Sequence, residues 1–249
     1  MDGNIPLNSE NNAVAPVESS YPKMNLIQRI FGVIFSPGKV MQSLVQKPRI
    51  LFALFLTILS PVVMIFSIFP MYKEYSRSIL EAQYARMNIE VTAEMIDKGL
   101  NISMYTGPIA GAIGAVALWF ASALVLWVII KIFKGEGGYK QILSITGYAA
   151  VISALSVIVT IIATRLTGTY SLVSFTSLAA LIPDMKGSFL FGAAKTIEVF
   201  SIWKYIVIAI GLATVSKLSK KKVYIIVACI FALLVIFAGI TEIRTAALL

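Results

Sequence analysis

The stretch Val223–Ile240, VYIIVACIFALLVIFAGI, decides the class of this chain. It runs without a single charge and follows directly on Lys220, Lys221 and Lys222. An apolar run of about eighteen or more residues is written for hydrocarbon, since roughly twenty helical residues cross a bilayer core. The lysines before it suit an anionic headgroup layer. Whole-chain composition agrees: 58% of 249 residues are hydrophobic, 13% are charged, and mean hydropathy is +0.87. Soluble domains carry about 45–50% apolar and about 25% charged residues. The formal charge of +9 therefore belongs beside the membrane, and nucleic-acid binding is set aside.

Four more spans are expected upstream, at about 50–71, 108–132, 142–164 and 197–216, the Val223–Ile240 run being the fifth. Pro61 predicts a kink in the first. Gly107, Gly111 and Gly114 put small residues on one face of the second, which suits close helix packing in lipid. Trp127 is expected at its interface. The segment 172–191 is apolar only over Leu172–Ile182 before Pro183-Asp184 interrupts it, so it reads as re-entrant or interfacial. Residues 1–22 read as a disordered polar tail, and 23–49 as two amphipathic helices, the second capped by Ser36 with Pro37 at its first position. These helices lie either on headgroups or on the bundle's own loops. Residues 50–249 form the transmembrane domain.

The long polar connection, Tyr72–Thr106, carries five acids against four bases; Thr92 is expected to cap a short helix that Gly99 ends. Segment 23–49 has five bases and no acid, and KIFKGEGGYK (Lys131–Lys140) and the Lys217, Lys220, Lys221, Lys222 cluster are basic as well. Five spans place these three on one side. The positive-inside rule then puts the N-terminus in the cytoplasm and the C-terminus outside.

Histidine is absent, which removes the commonest metal ligand and general base, and there is neither a pair of intramembrane aspartates nor a Walker A spacing. No catalytic, cofactor or metal residue is assigned. The lone Cys229 reads as a small buried hydrophobe. Lys204, flanked by Trp203 and Tyr205, sits six residues past Glu198, about 9 Å along a helix. It reads as an interface anchor that snorkels to headgroups, with Glu198 an interfacial acid pairing Lys195.

Four stretches assemble a resemblance: FSPGKVMQSL (Phe35–Leu44, with Ser36 and Pro37), GEGGYKQILSITGYAA (Gly135–Ala150, with Gly137, Gly138, Tyr139 and Tyr148), TSLAALIP (Thr176–Pro183), and EVFSIWKYIVIAIGLATVSKLSKKK (Glu198–Lys222, with Trp203). In this order the chain resembles the Yip-domain family, membrane proteins named for interaction with Ypt/Rab GTPases. The resemblance implies a five-helix membrane domain with a cytoplasmic N-terminus and supplies no catalytic residues. The long acidic N-terminal region of many eukaryotic members is missing. The bacterial style of the match implies a plasma-membrane location, with some such members accompanying ABC-type exporters.

The expected product is an all-α polytopic bundle acting as a non-enzymatic scaffold or accessory protein, built to associate with other membrane proteins or with itself. The alternatives are a small transporter or channel with a polar pathway through the Ser/Thr-rich third span, which Thr160 and Thr164 would line, and a lipid-binding or membrane-shaping protein acting through the 24–46 helices.

Overall fold

The computed structural model describes residues 24–248; the expected polar tail, 1–22, lies outside them. Two short helices open the chain, α1 (Leu26–Phe35) and α2 (Pro37–Gln46). Asn25 and Gln28 cap α1 reciprocally, each side chain accepting the other's backbone N–H at 2.8 and 3.0 Å. Ser36 holds the N-cap position of α2 and Pro37 its first turn, though the Ser36 hydroxyl makes no capping bond. Val33, Val40, Met41 and Leu44 are fully buried against the bundle, while Ile27, Phe31 and Phe35 form an exposed apolar edge. One face of this pair thus packs on the bundle and the other is bare.

Helix α3 (Leu51–Ser67) passes through Pro61 without interruption, and the sharp bend comes later. At Ile68 the chain turns by 85° into α4 (Phe69–Arg86). Pro70, in the first turn of α4, lacks the N–H that would continue the α3 ladder, and its ring opposes the carbonyl one turn back. The expected kink at Pro61 is therefore displaced to the Ile68 break, and the apolar helix stops at Ser67 rather than near residue 71.

The polar connection is helical almost throughout. Thr92 caps α5 (Ala93–Ile132), its Oγ1 accepting the Met95 N–H at 3.3 Å. Gly99 does not end this helix, which continues for 40 residues through Pro108. At 1.5 Å per residue α5 is about 60 Å long, twice a hydrocarbon core of about 30 Å. Its first turns pack along α4 through the Arg77–Asp97 ion pair and a Lys73 Nζ to Asn101 Oδ1 contact of 3.5 Å. Those cross-helix contacts outweigh the roughly 1 kcal/mol penalty of an interior glycine.

Helix α6 (Tyr139–Thr167) is the centre of the bundle and ends on Gly168 in the left-handed conformation, φ +70°. Ile142, Ile145, Tyr148, Ala149 and Ile152 are fully buried on it, facing α3, α5 and α8. Short 3-10 turns at Leu178–Leu181 and Pro183–Met185 replace any helix across 172–188, so this segment is not a helical span. Helix α7 (Phe189–Thr196) then packs against the far part of α9 (Lys220–Leu248), with α8 (Val199–Val215) between them in sequence. What was expected to be a short tail after residue 240 continues the α9 helix.

Among the described residues there is no strand beyond a single bridge between Ser177 and Glu198. Helices α5, α6 and α9 are each long and apolar enough to cross a membrane, and α3 with α4 forms a further, broken candidate. Helix α8 is apolar over 17 residues, the lower end of the roughly 17–25 that span. Exposed large apolar side chains such as Leu118, Leu166, Leu233 and Phe237 cover the outer faces, which water would penalise and lipid does not. The chain is an all-α polytopic membrane protein.

Candidate functional site

Three places gather the residues singled out by sequence. The first is the basic end of the bundle. Gln141 ties it together, its Nε2 donating to Val45 O at 2.6 Å while its Oε1 accepts the Gly138 N–H at 2.8 Å. Ser144 Oγ accepts the Arg49 N–H at 2.9 Å. The Glu136 N–H donates to Ser216 O at 2.8 Å, and Lys217 pairs with Glu136 at 2.7 Å. Gly137, with φ +100°, lies so close to Val215 that a Cβ would stand 2.7 Å from its Cγ2. The Tyr139 hydroxyl donates to Phe120 O at 3.1 Å, and Lys222 lies 4.9 Å from the Phe133 ring centroid. Segment 24–49, the α5–α6 loop and the α8–α9 loop thus meet at one end. Lys217, Lys220, Lys221 and Lys222 are exposed there.

The second is the α5 glycine face. A Cβ at Gly107, Gly111 or Gly114 would meet nothing within 4 Å. Within this chain, then, these glycines bring no helices together. Close approach occurs elsewhere: Gly147 against Ala53 and Trp119, Gly211 against Ile145 and Met41, and Gly192 with Gly239 between α7 and α9. Among the described residues, the α5 glycine face is thus bare.

The third is a polar centre around Glu198, the N-cap of α8. Here the structure departs from the sequence reading. Glu198 is 9% exposed, and it pairs with hydroxyls rather than with Lys195. Its Oε1 accepts from Ser156 at 2.8 Å, Thr176 at 2.9 Å and Ser174 at 3.4 Å; its Oε2 accepts from Ser201 at 3.0 Å. The Ser177–Glu198 bridge and the Leu178 N–H to Ile197 O bond (3.0 Å) bring the 174–178 segment to the carboxylate. Lys195 instead pairs with Glu242 of α9 at 2.9 Å. One turn along α7 does not reach the carboxylate, because the chain breaks into extended backbone at Glu198 before α8 starts. The four hydroxyls come from α6, α8 and an irregular loop, and nothing in their spacing announced them.

Lys204, expected as an interface anchor, is half-buried and lines two adjoining cavities. The smaller, about 360 Å³, also contains Glu198, Ser153, Ser156 and Ser201. The larger, about 590 Å³, is mostly apolar, lies among α3, α5, α6, α8 and α9, and is faced by Pro61. Ser153, Lys204, Tyr205 and Leu234 border both. Tyr205 packs on Phe231 with ring centroids 5.0 Å apart, and Trp203 is half-buried against the core. Both aromatic neighbours of Lys204 thus pack between helices.

Other sequence-marked residues are structural. Tyr148 is fully buried against Phe52, with its hydroxyl unpartnered among the described residues. The Thr160 hydroxyl bonds back to Ser156 O at 2.9 Å, and Thr164 is buried with no partner. Trp127 is part-buried against the core, Pro183 opens a 3-10 turn, and Cys229 is exposed on α9 and not buried as expected.

This arrangement matches known proteins on sequence. The model of the Yip1 domain matches residues 31–241. "Membrane protein YknW" of Bacillus subtilis (strain 168) is 29% identical over 209 residues, covering 84% of this chain and 87% of that protein. No solved structure matches. The Yip1-domain match takes in the Ser36–Pro37 turn, the glycine turn before α6, and the Glu198–Lys222 stretch with its buried acid. The chain belongs to the Yip1 domain family.

Proposed function

We propose that this membrane protein is a non-enzymatic scaffold or accessory subunit that docks another membrane protein against α5. The carrying observation is the bare Gly107–Gly111–Gly114 face, where no group among the described residues would contact an added Cβ within 4 Å. In lipid the apolar effect no longer drives helices together, and association rests on backbones that approach closely over small residues. A bare small-residue face of that kind suits a partner helix better than loosely packed acyl chains. The partner class follows the bacterial family resemblance, an ABC-type exporter, in a plasma membrane with anionic headgroups. The topology that goes with this reading is five traversals. The clustered basic end lies in the cytoplasm with the N-terminus, and the C-terminus lies outside, as the positive-inside rule favours.

Affinity purification in mild detergent tests the assignment. A reproducible membrane partner is expected, lost on Gly111→Leu while the isolated chain keeps its melting temperature. Recovery of the chain alone, or a partner that Gly111→Leu leaves in place, counts against it.

A further inference from the structure

The polar centre holds two opposite charges that face one space without touching. Among the described residues Lys204 enters no ion pair and donates no hydrogen bond, and it borders both cavities. Interior charges are ordinarily paired, because removing an ammonium from water costs several kcal/mol unless an anion answers it. Glu198 is better satisfied but not saturated. A carboxylate offers about two acceptor sites per oxygen. Oε1 already takes three hydroxyls, whereas Oε2 takes only Ser201 at 3.0 Å. The free capacity of the acid is therefore on Oε2.

Position adds a sequence to these charges. Glu198 starts α8, and Lys204 follows six residues in, about 9 Å along the axis. Next comes the apolar chamber of about 590 Å³, within the roughly 300–1,000 Å³ that hold small-molecule ligands. From the end of the helix inward the order is carboxylate, ammonium, apolar chamber.

We propose that this space binds one bilayer phospholipid with a primary-amine zwitterionic head, a phosphatidylethanolamine. Its ammonium donates to Glu198 Oε2, its phosphate accepts from Lys204, and an acyl chain enters the chamber past Tyr205 and Leu234. The chain gains little by leaving lipid for an equally apolar wall, so discrimination comes from the head. Phosphatidylglycerol satisfies Lys204 but sets a neutral alcohol beside the acid. Phosphatidylcholine has the right charges in the right order, but its quaternary nitrogen carries no N–H to donate. The proposal is independent of any protein partner.

The test uses the full chain, purified, stripped of lipid in detergent and offered equal amounts of the three phospholipids, with native mass spectrometry as readout. One phosphatidylethanolamine per chain is expected, preferred by about tenfold or more, the factor that one charge-assisted hydrogen bond supplies. Lys204→Met removes the bound lipid at unchanged melting temperature, and Lys204→Arg retains it. Glu198→Gln lowers the preference over phosphatidylcholine. Equal or better retention of phosphatidylglycerol, a lipid still held by Lys204→Met, or no bound lipid at all overturns the proposal. The comparison of the three lipids on the unaltered chain decides even if a variant does not fold.

Discussion

Gly147 lies where α6 crosses α3 and α5, and adding one methyl group there tests the whole account of the packing. A Cβ at this position would run into Ala53 Cβ and stand 2.5 Å from Trp119 Cζ2 and 3.0 Å from Cε2. Neither neighbour yields readily. The Ala53 methyl is fixed to the α3 backbone, and the indole is pinned because Nε1 donates to Thr146 Oγ1 at 3.1 Å and Leu143 O at 3.2 Å. Overpacking of a filled core costs about 1–3 kcal/mol. Disturbing the indole hydrogen bonds adds about 1 kcal/mol, and the better helix propensity of alanine returns about 1 kcal/mol. The net expectation for Gly147→Ala is a loss of about 1–3 kcal/mol. Gly111→Ala is the control, since nothing lies within 4 Å of its added methyl and only the propensity gain remains. Melting in detergent, followed by tryptophan fluorescence, compares the two variants with the parent. Gly147→Ala melting at or above the parent temperature, or Gly111→Ala melting below Gly147→Ala, refutes the reasoning.

Other outcomes follow from single contacts. Lys195→Met leaves Glu242, whose side chain is 16% exposed, without its cation, and stability is expected to fall by about 1–3 kcal/mol. The Lys195→Met/Glu242→Gln pair recovers part of that loss, and strict additivity in the double-mutant cycle argues against the bridge. Burial, with Tyr72 and Tyr75 beside it, pushes the Tyr170 phenol up to about 12 from 10.0. The folded state then holds this proton more tightly than the unfolded chain, so the contribution is full below pH 10 and declines as pH rises towards 12. Tyr170→Phe keeps the rings, whose centroids lie 5.4 and 5.3 Å from Tyr72 and Tyr75, and should flatten that alkaline decline in melting temperature; an unchanged slope speaks against it. Cys229 is exposed on α9 within the apolar run. In intact membranes a lipophilic maleimide is expected to label it and a charged one is not. Labelling by the charged reagent places this face in water.

The sequence was most legible where one residue's chemistry suffices. Thr92 caps α5 because its hydroxyl is three residues from an orphan N–H. The basic segments clustered as charge alone implied. Glycines were legible neither as helix stops nor as contacts. Gly99 looked like a stop, yet α4 holds that region helical through Arg77 and Asp97. Gly107, Gly111 and Gly114 have the spacing of a packing face, and the structure puts the tight crossings at Gly147 and Gly211 instead.

What the sequence determined by itself is the solvent for which the chain is made. Long uncharged runs, basic flanks and absent histidine depend on residue type and spacing, and these define an all-α membrane protein before any contact is known. Only the tertiary structure decided what the few buried polar groups do. Glu198 and Lys204 read as an interfacial acid and an anchor when seen along one helix. Hydroxyls from Ser156 on α6 and from Ser174 and Thr176 in the loop turn the acid into a buried acceptor, and five helices enclose the chamber beside the lysine. Distance along a helix can be counted from sequence, whereas which side chains from other helices close around a charge depends on how the helices pack.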